Sequence, residues 1–138
     1  MKLTAISVAW LFAASFYAAA AVRLIPNPLL GPDGLFVANT AHDLVHFVTG
    51  MGFTAVAVAG AKPSIVFMRA FGVIYALTGL VGFLVAGFVG HGHLLRLVHI
   101  NALDNFLHLG LGAAIGAAGW YFHTTRGSVQ ASPAVHEG

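Results

Sequence analysis

Four long apolar stretches, separated only by short breaks rich in Gly, Pro or His, constrain this chain more than any other feature. They run from Leu3 to about Leu24, from about Leu35 to Ala61, from Ser64 to about Gly90 and from about Arg96 to Phe122. Each exceeds the ~20 helical residues needed to cross a bilayer, and none shows the alternation of a barrel strand. Hydrophobic residues make up 59% of the chain and charged ones 7%, against roughly 25% charged in a soluble domain. Six Lys plus Arg and four Asp plus Glu cannot solvate a globule of 138 residues. A soluble enzyme, a nucleic-acid binder and a disordered chain are therefore excluded, and the expectation is an all-α integral membrane bundle of four transmembrane helices. The absence of Cys removes disulfides, thiolate metal sites and Cys nucleophiles.

The breaks carry turn chemistry. Pro26, Asn27, Pro28, Gly31, Pro32, Asp33 and Gly34 form the first, Lys62-Pro63-Ser64 the second and Gly90-His91-Gly92-His93 the third. Lys2, the apolar run after it and Ala18 to Ala21 together look like a secretory signal; the run is read here as a spanning helix able to insert as a signal anchor. With a cytoplasmic N-terminus, Lys2, Lys62, Arg69 and Arg126 lie inside and Arg23 and Arg96 outside. That bias places both termini in the cytoplasm. Trp120 and Tyr121 then fall in the inner aromatic belt, Arg69 snorkels to the inner surface, and His123 and His136 are interfacial. The segment 124–138 reads as a solvated tail.

The second and fourth stretches repeat one polar pattern. Asn39-Thr-Ala-His42-Asp43-Leu-Val-His46-Phe-Val-Thr-Gly50 aligns with Asn101-Ala-Leu-Asp104-Asn105-Phe-Leu-His108-Leu-Gly-Leu-Gly112 at an offset of 62 positions. Asn39 meets Asn101, His46 meets His108 and Gly50 meets Gly112, while His42 meets Asp104 and Asp43 meets Asn105. The arrangement implies two parallel helical-hairpin repeats, about 1–62 and 63–123, within a single domain of residues 1–123. In each helix the marked positions fall at i, i+3, i+4, i+7 and i+11, one stripe of a 3.6-residue helix.

These paired runs resemble those of a bacterial family of small four-helix membrane proteins, catalogued as DUF4383, a domain of unknown function. The resemblance extends from the second stretch through the fourth. It implies a four-helix fold in a bacterial cytoplasmic membrane and supplies no activity, so function is argued from the stripe.

Asp costs about 2.5–3.5 kcal/mol at the centre of a spanning helix, so the two polar stripes are expected to face each other or a third helix. A transition-metal site is the first reading. His42 and His46 offer two imidazoles on one face, and Asp104 and His108 repeat the spacing with a carboxylate. Three nitrogens and one oxygen suit zinc, copper or iron. Asn39, Asp43, Asn101 and Asn105 are the candidates to orient these ligands. His91, His93 and His99 lie in or near the third break, where they are candidates for metal capture at the outer side. Haem is the second reading, with His46 and His108 as paired axial ligands and Gly50 and Gly112 leaving room for a porphyrin edge. A proton relay is the third, weakened because Gly112 to Trp120 contains no titratable side chain. Against all three stands a structural network, in which the polar groups only hydrogen-bond between helices. That makes the chain an accessory subunit of a larger membrane complex, or a homo-oligomer, embedded in lipid. Gly79, Gly82, Gly87 and Gly90 with Gly110, Gly112, Gly116 and Gly119 are read as close packing of helices three and four. A chain with so little loop is read as binding, transferring or assembling, not as a dedicated catalyst.

Overall fold

The computed structural model describes residues 3–25, 27–31 and 34–130, with side chains through Thr124. Lys2, Pro26, Pro32, Asp33, the Arg126 side chain, His136 and the rest of 131–138 lie outside the described residues. Four helices dominate: α1 (Ala5–Val22), α2 (Thr40–Ala59), α3 (Ala61–Ala86) and α4 (Ala102–Gln130). Between them lie four short strands, β1 (Leu30–Gly31), β2 (Phe36–Val37), β3 (His91–Leu94) and β4 (Val98–Asn101). β1 pairs with β2 in parallel, and β3 with β4 antiparallel. α1 and α3 are long and apolar enough to cross a membrane. At 1.5 Å per residue, their 18 and 26 residues extend about 27 and 39 Å.

Each boundary has a local cause. Thr4 opens α1 with a capping box: its Oγ1 accepts from Ser7 N, and Ser7 Oγ accepts from Thr4 N. α2 and α3 are separated by Gly60 alone, at φ +110°, which spares a side chain the strain of that backbone. Pro63 then sits in the first turn of α3, where its missing N–H goes unneeded.

Several helix ends differ from the sequence reading, and Lys62-Pro63-Ser64, expected as a turn, lies inside the first turn of α3, which runs from Ala61 to Ala86 instead of from Ser64 to Gly90 because Gly60 alone makes the break. α2 begins at Thr40 and α4 at Ala102, whereas apolarity alone extends them back to Leu35 and Arg96. In both cases part of the extra segment, Phe36–Val37 or Val98–Asn101, pairs as a strand, and an Asn caps the helix that follows. The third break is accordingly wider than Gly90–His93. It is a β-hairpin whose turn residues, Leu95 and Arg96, have φ of 52° and 61°. Positive φ at both positions gives the turn twist that matches the twist of paired strands. At the other end, α4 continues to Gln130, past Phe122.

The helices pack most extensively as two pairs, α1 with α2 and α3 with α4. α1 buries Ala5, Ala9, Ala13 and Phe16, a stripe of small residues ending in an aromatic. Phe16 stacks on Phe53 of α2 at 5.6 Å and meets Phe71 and Tyr75 of α3 edge-on at 5.9 and 5.5 Å. α3 and α4 instead meet through glycines: Gly72 faces Gly112 and Gly116, Gly79 faces the Asn105 carbonyl, and Gly119 faces Arg69. Gly110 and Gly87 face open space, and Gly87, at φ +69°, ends α3. Those two contribute nothing to the helix contact they were expected to serve.

Candidate metal centre

The polar repeat first builds two helix entrances. Asn39 caps α2, its side-chain oxygen accepting from His42 N at 3.0 Å. Asn101 does the same for Asp104 N at 2.9 Å, and Asp104 Oδ2 accepts in return from Asn101 N at 2.9 Å. Such bonds satisfy N–H groups that a helix start leaves without partners. The entrances are also crossed. Asn39 Nδ2 donates to the Leu97 carbonyl and Asn101 Nδ2 to the Leu35 carbonyl, both at 2.8 Å. Acceptors and donors alike are 62 positions apart. Val37 N donates to Asp104 Oδ2 at 3.2 Å, and His42 Nδ1 lies 3.0 Å from the His99 carbonyl. Each helix start is thus held by the strand that precedes the other helix.

One turn deeper, three histidines converge. One ring nitrogen from each of His42, His46 and His108 lies within 4.8 Å of the others, with His42 and His108 buried and His46 half-buried. Ring centroids are 4.6 Å apart for His42 and His46, 5.9 Å for His42 and His108 and 6.4 Å for His46 and His108. Nitrogen ligands ~2.0–2.1 Å from a shared tetrahedral ion stand about 3.4 Å from one another. The three nitrogens, within 4.8 Å of one another, must draw together by up to about 1.4 Å to reach that spacing.

The surroundings fix how the rings can act. A carbonyl only accepts, so the bond to His99 places the His42 proton on Nδ1 and leaves the Nε2 lone pair free. Tyr75 of α3 places its hydroxyl 3.3 Å from His46 Nε2 and its ring edge-on to His108 at 4.6 Å. A phenol donates or accepts, so it accommodates either tautomer of His46. His108 Nδ1 is buried and interacts with the Asp104 backbone, one turn earlier on α4, outside strict hydrogen-bond geometry. Phe16 closes the site at 5.7 Å from His46.

Other residues of the expected site are engaged by other partners. Asp104, expected as the fourth ligand, is buried, but its Oδ2 is engaged by two backbone N–H groups and it is not among the converging groups. Asp43 pairs with Arg23, whose Nε donates to its carboxylate at 2.6 Å, so it orients no histidine. Asn105 is 1% exposed and packs its side-chain oxygen against Gly82 in the α3–α4 interface, its Nδ2 without a partner among the described residues. Asn39 and Asn101 act as caps. Tyr75 and the His99 carbonyl complete the site and were missed. Tyr75 had a signal, a hydroxyl among the buried positions Met68, Gly72 and Gly79 of α3; the carbonyl had none, since only the fold brings it there.

A second histidine group stands on the hairpin. His93 lies opposite His99 in the strand register, their rings stacked at 4.4 Å and 6°, and His91 meets His99 edge-on at 5.8 Å. Burial, followed by the nearby His93, His91 and His42, holds the His99 imidazole below its ordinary pKa.

The family model described as Domain of unknown function (DUF4383) matches residues 33–121, and the chain belongs to that family. The match spans both helix entrances and all three converging histidines. No curated protein and no solved structure matches the chain.

Proposed function

We propose that this member of the family is a small bacterial membrane protein whose four helices all span the bilayer and whose His42, His46 and His108 bind one transition-metal ion. The observation that carries the reading is the convergence of three imidazoles, one with its tautomer set by a backbone carbonyl. Three nitrogens with an open fourth position suit zinc, copper or iron. A bare ion fits better than haem, because the His42 ring stands between 4 and 6 Å from both other rings, inside the space a porphyrin would occupy.

Membrane insertion of α2 and α4 is supported by what they expose. Leu44, Val45, Phe47, Val48, Met51 and Val58 of α2, with Phe106 and Leu107 of α4, are large apolar side chains facing outward, as lipid contact requires. The crossed asparagine bonds support descent of the two hairpins from one repeat. In this reading both termini are cytoplasmic, the helix entrances and the hairpin face outward, and residues 1–123 form the membrane domain.

Elemental analysis of untagged protein tests the ion. One ion per chain at the buried site, lost in H46A and in H108A, is expected; a count unchanged by both substitutions rejects the reading. An absorbance spectrum of the same sample reveals haem by its Soret band. A structural role within a larger complex is the second reading, favoured by the crossed asparagines. It predicts a folded, ion-free protein that co-purifies with a partner in mild detergent.

A further inference from the structure

We propose that the β3–β4 hairpin carries a second metal site, formed by His91, His93 and His99 and distinct from the buried cluster. Alternate residues of a strand share a face, and directly opposed residues of an antiparallel pair have Cβ atoms ~4.5–5.5 Å apart. His91 and His93 are alternate residues of β3, and His99 is opposed to His93. All three rings therefore gather on one face, as the ring contacts of 4.4 and 5.8 Å record.

The three are unequal in a way that suits a ligand. His99 is half-buried, anchored through its carbonyl to His42, and its Nε2 is buried without a hydrogen-bond partner among the described residues. His91 and His93 are exposed, so their rings can change rotamer at little cost. The hairpin nitrogens do not converge as those of the buried cluster do: the parallel stacking of His93 on His99 presents ring faces, and a shared ion needs His93 to turn its edge toward the His99 nitrogen. An all-imidazole set selects a borderline divalent ion such as zinc, copper(II) or nickel over calcium or magnesium, which prefer oxygen ligands. The His99 residue belongs to both groups, its ring to the hairpin and its carbonyl to the buried site, so the two sites are joined by one hydrogen bond.

The site stands whether or not the buried cluster holds an ion. Zinc is titrated into the untagged chain, stripped with a chelator, and bound ions per chain are counted. The wild type is expected to bind one ion more than H91A/H93A, and H46A/H108A is expected to keep the hairpin ion. A wild-type count equal to that of H91A/H93A overturns the proposal. A count unchanged in H46A/H108A rejects the buried site alone. Carbethoxylation of the unsubstituted chain gives a second readout without mutation. Zinc is expected to slow modification of His91 and His93 at least tenfold, while equal rates with and without zinc overturn the site.

Discussion

Gly50 and Gly112 occupy the same position of the repeat, yet they meet different surroundings. A side chain at Gly50 would touch the ring of Tyr17, 2.8 Å from where its Cβ would stand. At Gly112 it would meet the backbone of Ala76 at 2.5 Å and the Gly72 carbonyl at 2.8 Å. A ring can swing aside and a helix backbone cannot. The α1–α2 pair is consequently an aromatic interface, and the α3–α4 pair an interface of backbones in near contact. The same divergence runs through the polar residues. His42 and Asp104 both follow an Asn cap by three positions, but one faces two other histidines and the other binds backbone N–H groups. The two polar runs share one pattern of capped helix entrances, and each meets different neighbours.

The sharpest way to break this contrast is to add one methyl group in each half. G112A is expected to lower stability by the upper end of the ~1–3 kcal/mol typical of overpacking, and G50A by the lower end. Thermal unfolding in detergent measures both, and equal losses contradict the contrast. D104A and H42A separate capping from ligation. D104A leaves two backbone donors without an acceptor and is expected to cost about 2 kcal/mol with the ion count intact. H42A is expected to weaken ion binding more than it lowers the unfolding midpoint. An ion lost in D104A would return Asp104 to the ligand set.

The crossed caps are a feature both entrances share, so N39A and N101A are expected to cost the same, about 1 kcal/mol each. Denaturation midpoints that differ widely would mean that only one entrance is stabilising. The smallest effect belongs to an ion pair without a counterpart in the second half, where Val85 and Asn105 stand at the positions of Arg23 and Asp43. R23A is expected to cost at most about 1 kcal/mol, with the difference shrinking in high salt.

The stripe was legible because histidines four apart must share a helix face, and the repeat located the second face. Its N-terminal end was misread for a physical reason. A cap and the third residue of its helix are separated by i, i+3, the same spacing as neighbours on a helical stripe, so Asn39 and Asn101 fit both patterns. The Asn-x-x-Asp run from Asn101 to Asp104 carries the reciprocal capping signal nonetheless. The hairpin was hidden because Leu94, Leu95, Leu97, Val98 and Ile100 are as apolar as a spanning helix, and its turn uses no glycine. Arg23 as the partner of Asp43 could not be read from spacing, since Arg23 follows the end of α1 and Asp43 lies in α2.

The ligand shell of the buried ion tests the central claim most directly. X-ray absorption on zinc-loaded H91A/H93A protein, which isolates the buried site, counts the imidazoles through their multiple-scattering signature. Three imidazoles, falling to two in H42A and unchanged in D104N, are the result expected. A shell of oxygens with fewer than two imidazoles, or one indifferent to H42A, would contradict the site built by His42, His46 and His108.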